Sequence, residues 1–207
     1  MHQSYLPPQW PCPPLAKAEA KRSPATWILP SDLPAIRGDF AVTTFDLTID
    51  EAGHPVRCDV IISSKSAELD SAVCAAVVKR ARFTPARGAD GSAALYVRRD
   101  RVIWIPNAYG SNSWSNEPDI VVSTPTLKKR HRLVAEVLLQ MGNDGSISNC
   151  LVARSSKDET LDKLACDAVS RPNLVTPIRG SDNASQAGVR SFFVGFQPGT
   201  ALAVQIR

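Results

Sequence analysis

Four of the five cysteines are placed where thiol chemistry could operate in duplicate: Cys58 with Cys74, then Cys150 with Cys166, each pair sixteen residues apart. That spacing is neither the C-x-x-C of a redox motif nor a zinc-ligand pattern. The three histidines, His2, His54 and His131, do not stand at repeated positions, so neither a metal site nor a cofactor is expected. One disulfide per pair explains the duplication and implies an oxidising compartment. Four buried free thiols are the alternative, because cysteine is commonly buried without bonding. Cys12 is left unpaired.

Other groups invite a catalytic reading that does not hold together. Ser63-Ser64-Lys65 and Ser155-Ser156-Lys157 set hydroxyls beside an ammonium, as an activated nucleophile requires. At the junction of a strand and a helix, however, serine ordinarily satisfies backbone groups. Asp70 and Asp162 fall in a first helical turn, where the helix dipole favours a carboxylate. No second carboxylate repeats beside them, as general acid-base chemistry would require. Ser181-Asp182-Asn183 spells one motif of penicillin-recognising enzymes, but no S-x-x-K or K-T-G accompanies it. The enzyme reading is therefore disfavoured.

All these groups lie in a stretch written twice. Gly53 to Asp90 and Gly145 to Asp182 align at a constant offset of 92 with no gap, and sixteen of 38 positions are identical. Such a period indicates duplicated structure. Before it, Ala41, Thr43, Phe45, Leu47 and Ile49 alternate with Val42, Thr44, Asp46, Thr48 and Asp50, the pattern of a half-buried strand. Gly53 supplies a turn with positive φ, and a second strand over about 55–62 carries Val56, Cys58, Val60 and Ile62 on one face. A helix then starts at Ser66 in the first copy and Asp158 in the second, both good N-caps. Leu69, Val73, Ala76 and Val77, with Leu161, Ala165, Ala168 and Val169, form its apolar stripe. Cys74 flanks that stripe, so a bond to Cys58 is allowed by geometry without being demanded. A third strand is expected over 94–105 and again over 189–196.

The fold class expected is α+β: two tandem ββαβ units, each a small antiparallel sheet with one helix packed on one face. The divisions are a Pro-rich arm at 1–26, a first unit at 27–106, a linker at 107–126 and a divergent second unit at 127–207. Within the linker Ile120-Val121-Val122 has the character of a short strand, and the tail from Pro198 is either an edge segment or mobile. The 207 residues are 43% hydrophobic and 21% charged with net charge +4, ordinary for a globular chain. No apolar run approaches the roughly 18 residues that span a bilayer. The modest charge does not suggest nucleic acid. Met1–Pro8 lacks the basic and apolar regions of a secretory signal, which fits a cytosolic protein or a mature or trimmed form.

The order of strand, turn at Gly53, strand ending in Ser63-Ser64, helix opening at Leu69-Asp70, Arg82-Phe83-Thr84-Pro85-Ala86 and a last strand with Trp104 resembles the C-terminal domain of TonB-type energy transducers. The cysteine pair resembles a cysteine-bearing variant of that family. The likeness covers about 35–105 well and about 125–196 more weakly, since the second copy has Leu174-Val175-Thr176-Pro177-Ile178 in place of the Arg-Phe-x-Pro-Ala pattern. It implies a periplasmic, non-catalytic module that binds an extended peptide of an outer-membrane transporter by strand addition. Full transducers also carry a membrane anchor and a long Pro-rich spacer, whereas here the proline run covers only 7–14.

In a ββαβ unit a right-handed crossover carries strand three to the far side of strand one, where it becomes an edge with unpaired backbone groups. Tyr96, Val97, Arg98, Arg99, Arg101 and Trp104 are the residues expected to meet the peptide. Phe192, Phe193 and Phe196 give the second copy an apolar edge expected to pack on the other unit. The alternative is an envelope-associated structural protein that touches peptidoglycan or lipid through Lys128–Arg132 with Arg98, Arg99 and Arg101. The two copies are expected as similar sheet-and-helix units related by an approximate rotation, not as one interleaved barrel.

Overall fold

Alternation and capping set the local structure. Phe45, Leu47 and Ile49 are fully buried in a strand whose ladder is closed by a tight turn, and the Gly53 φ of +85° explains the glycine there. A side chain on Gly53 would also strike the carbonyl oxygen of Phe83 at 2.1 Å, since the Phe83 N–H donates to the Gly53 carbonyl at 2.9 Å. The Ser66 side chain accepts from the Leu69 N–H, and that of Asp158 from the N–H groups of Thr160 and Leu161, so two different residues perform one capping role.

The computed structural model describes residues 14–34, 41–104, 113–114, 117–125, 127, 133–171 and 174–206. In chain order the elements begin with β1 (Glu19–Ala20), two 3-10 turns, β2 (Ala41–Ile49), β3 (Pro55–Ile62) and α1 (Ala67–Arg80). Short strands β4 (Phe83–Thr84), β5 (Ala86–Arg87) and β6 (Ala93–Ala94) lead to β7 (Tyr96–Trp104), then β8 (Ser113–Trp114) and β9 (Ile120–Thr124). The later part holds β10 (Leu133–Met141), β11 (Ile147–Arg154), α2 (Glu159–Val169), β12 (Ile178–Arg179), β13 (Ser185–Gln186), β14 (Gly188–Pro198) and β15 (Ala203–Ile206).

Two separate small sheets are expected from the repeat; among the described residues one large sheet draws on both copies, beside three two-stranded ones. Its nine strands follow the path β11-β10-β14-β7-β2-β3, with β8, β9 and β15 attached beside it. The joint is a parallel pairing in which Val189 lies opposite Tyr96 and Arg190 opposite Val97. Each half alone would end in a strand with unsatisfied donors and acceptors, and the two such strands meet each other. Beyond Arg190, β14 leaves β7 and pairs with β9 from Val194 to Pro198. β15 then adds to β9, so the tail is an edge strand.

Equivalent strands that meet in parallel are related by an axis along the strands, which turns one half of the sheet over and puts the helices on opposite faces. Two cores result. One gathers Phe45, Leu47, Leu69, Val73, Val77, Val102 and Trp104 with Leu15, Ala18, Trp27 and Ile28 from the N-terminal lead-in. The other gathers Val137, Leu139, Leu161, Ala165, Val169, Phe192, Val194 and Phe196 with Val97. Within β10 the period of two is visible, for Leu138 joins the first core while its neighbours Val137 and Leu139 join the second.

Candidate protein-interaction surface

The Ser-Ser-Lys turns are structural. Ser63 Oγ donates to Asp70 Oδ2 at 2.6 Å, and the Thr43 hydroxyl and Ser64 N–H donate to Oδ1 at 2.9 and 3.0 Å. Ser63 Oγ also accepts the N–H of Lys65, whose φ of +70° is matched by +71° at Lys157. In the second copy Ser155 Oγ donates to Asp162 Oδ2 at 2.5 Å, and Ser156 donates to Oδ1 through both its N–H and its hydroxyl at 2.7 Å. Burial would raise both carboxyls, but these hydrogen bonds together hold Asp70 and Asp162 below the usual carboxylate range. A hydroxyl committed to such a carboxylate is a brace for a turn.

Both disulfides form, Cys58 to Cys74 and Cys150 to Cys166, with Cα atoms 5.6 and 5.9 Å apart. Cys58 lies in β3 and Cys150 in β11, the two ends of the main strand path, so each bond ties an outermost strand to its helix. Cys12 lies outside the described residues. Among the described residues no group of three His, Cys, Asp or Glu side chains is placed to hold a metal ion.

The residues expected to line a peptide-binding edge are placed otherwise, and this corrects the reading of β7 as a free edge. β7 pairs with β2 along its whole length. Its other side is met by β14 at Tyr96 and Val97 and by β8 at Val102 and Ile103. The physical cause is the second copy and the linker, which cover backbone groups that a lone unit would expose. Tyr96, Val97 and Trp104 are buried; the Tyr96 hydroxyl donates to Ser191 Oγ at 2.8 Å, and burial raises its pKa.

The three arginines of β7 are engaged inside the protein. Arg98 donates twice to Asp100, at 2.8 and 2.7 Å, and its guanidinium lies 5.9 and 5.6 Å from the ring centres of Trp27 and Phe83. Arg99 donates to Asp46 at 2.8 Å. Arg101 donates to Thr44 Oγ1 at 3.1 Å and to Glu117 at 2.7 Å. They do not make a free basic face, and Lys128–Arg132 lies outside the described residues.

Asp46 is the hub of the joint, taking Arg99 from β7 and the Nη2 of Arg190 from β14. Arg190 was not singled out from the sequence, although a signal was present. Continuing the repeat past Asp90 and Asp182 brings Val97-Arg98 onto Val189-Arg190, two arginines on the paired third strands. Nearby, the Asp119 N–H donates to the Phe193 carbonyl at 2.8 Å, and Asp119 Oδ2 accepts the Phe193 N–H at 2.8 Å.

Burial pushes the Asp119 carboxyl from 3.8 up to about 6; the Asp46 carboxylate adds to this, while the Phe193 N–H, Arg99 and Arg101 act the other way. The folded state therefore binds the extra proton between about pH 4 and 6, so this group's contribution to stability falls as pH rises through that window. A carboxyl-carbon NMR titration of Asp119 is expected to show a midpoint near 6. A midpoint near 4 would refute the assignment.

Among the outer strands that the sheet leaves open is β3. It is the outermost strand beyond β2, and Val60, Ile61 and Ile62 are 38%, 44% and 44% exposed. β11, at the other end, exposes Ser148, Asn149, Ala153 and Arg154 instead.

Residues 35–98 match the family model of the Gram-negative bacterial TonB protein C-terminal. No curated protein and no solved structure matches the chain. Domains of that family are interaction modules of the Gram-negative periplasm. No helix among the described residues is long and apolar enough to cross a membrane. β2, β3, α1 and the start of β7 fall inside the match and the second copy outside it. The similarity to the TonB C-terminal family therefore covers residues 35–98 of the 207.

Proposed function

We propose that this protein is a non-catalytic periplasmic interaction module that captures an extended peptide of an outer-membrane transporter or another envelope protein as an added strand on the outer edge of β3. The observation that carries this reading is the run Val60, Ile61 and Ile62, three consecutive exposed apolar residues on an outermost strand. An edge strand of that kind is ordinarily covered, charged or used, and strand addition uses it through backbone pairing with pockets for alternate side chains. Two tandem ββαβ units, 27–106 and 127–207 joined by 107–126, fit this role. Doubling occupies the third strand of each unit and leaves the second strand of the first as the adhesive edge.

The test is an NMR titration with N-terminal peptides of outer-membrane transporters encoded near this protein. Amides of Val56 to Ile62 are expected to shift and saturate, and Ile61→Lys is expected to weaken binding about tenfold by charging the apolar run. Shifts confined to 128–132, or none, would refute strand addition at β3.

A further inference from the structure

The first copy already holds an added strand. Ala16 to Lys21 runs antiparallel beside Arg82 to Arg87: Ala16 and Arg87 exchange both backbone hydrogen bonds at 3.0 and 2.9 Å, Glu19 lies opposite Thr84, and the Lys21 N–H donates to the Arg82 carbonyl at 2.8 Å. The arm reaches across the joint. Leu15 and Ala18 are buried in the core that includes Leu138 of β10, with Leu151 of β11 packed against it. The Lys17 ammonium meets both carboxylate oxygens of Glu136 at 2.9 Å.

The repeat offset identifies the corresponding place in the second copy. Arg87 maps to Arg179, Thr84-Pro85 to Thr176-Pro177, Leu138 to Asp46, Leu151 to Asp59 and Asn149 to Arg57. Six of these counterparts, Asp46, Arg57, Asp59, Thr176, Pro177 and Arg179, line one groove of about 300 Å³. The two hairpins have the same register. Gly88 N–H donates to the Ser92 carbonyl and Gly180 N–H to the Ala184 carbonyl, both at 3.0 Å, and bonded and non-bonded pairs alternate along an antiparallel ladder. Arg87 and Arg179 therefore turn their backbone N–H and C=O away from their own hairpins. In the first copy Ala16 takes both; among the described residues none takes those of Arg179.

The lining chemistry says what would fit. Where the arm packs on Leu138 and Leu151, this groove has Asp46 and Asp59, and each is already paired, Asp46 with Arg99 and Arg190, Asp59 with Arg57 at 2.5 Å. The Arg57 guanidinium also spans the groove to Asn183 Oδ1 at 2.9 Å. Arg179 is exposed, and its guanidinium donates to the carbonyl of Asn183. Three arginines thus face two carboxylates, and Ile61 offers an apolar contact. The arm's own Lys17 would meet the wrong charge. We propose that this groove is a second docking site for an extended acidic peptide of a partner protein, bonded to the Arg179 backbone as Ala16 is bonded to that of Arg87.

A synthetic peptide of residues 14–22 carrying Lys17→Glu and Lys21→Glu, titrated into the labelled full chain, tests this, with the unmodified peptide as control. Saturable shifts of the Ile178 and Arg179 amides are expected, with slowed exchange at Arg179. Binding should weaken by about tenfold for the unmodified peptide and for the Arg179→Glu protein, whose fold is checked by unchanged protection at Arg87. No saturable change at 178 and 179, equal response to both peptides, or lost protection at Arg87 from a displaced arm would each overturn the proposal. Because Arg57, Asp59 and Ile61 of β3 also line this groove, the two readings are separated by exchange and not by shifts: slowed exchange at Arg179 reports this site, whereas slowed exchange along Val56 to Ile62 without it reports strand addition on β3.

Discussion

Asp46→Ala is expected to lower the unfolding free energy by about 3–5 kcal/mol, the cost of removing one partner from a buried ion pair. The Asp46, Arg99 and Arg190 side chains are 10%, 10% and 6% exposed. Without the carboxylate two guanidinium groups stay buried with less compensation, one on each side of the joint. The loss should be felt there first, because β7 and β14 share only two residue pairs in their ladder. Urea unfolding followed by circular dichroism gives the size, and amide exchange at Val189 and Arg190 gives the place. A change under about 1 kcal/mol would mean that the cluster behaves as a surface pair. Replacing all three residues by leucine is expected to recover much of the loss, since an apolar cluster of similar volume avoids the desolvation of charge.

Removing the disulfides is the second large effect. Each joins residues sixteen apart, and closing a loop of that length stabilises by about 3 kcal/mol in the chain-entropy model. Cys58→Ser with Cys74→Ser, and Cys150→Ser with Cys166→Ser, are expected to cost about that much each. Because the pairs sit at opposite ends of the strand path and on opposite faces, the two losses should add. Opening Cys58 to Cys74 should also speed amide exchange in β3, which is paired on one side only and is tied to α1 by that bond. Unfolding midpoints unchanged by reductant would refute the stapling role. Two half-cores of this size have little apolar area to spare, which is why a crosslink on each outermost strand has so large an effect.

The elements and their inward faces were legible in the amino-acid order because each depends on residues a few positions apart. The alternation over 41–50, the stripe of Leu69, Val73, Ala76 and Val77, the caps at Ser66 and Asp158 and the turns at Gly53 and Gly145 are local patterns. The cysteine pairs became legible through duplication, since equal spacing in both copies marks equal places in the fold. The helix in the second copy is shorter than its counterpart, 11 residues against 14, in the direction Pro172 suggests.

Which edge meets which was decided only by tertiary structure. β7 looks like an edge from its own unit's topology, and the parallel contact with β14, the covering by β8 and the arm along Arg82 to Arg87 join residues tens of positions apart without leaving any periodic mark. The same holds for Arg98, Arg99 and Arg101, whose spacing is that of a basic surface until Asp100, Asp46 and Glu117 close on them. A strand's side-chain pattern records which face is dry, because burial acts on side chains. Its edge is backbone, chemically alike at every residue except proline, so the amino-acid order carries almost nothing about the partner that will cover it.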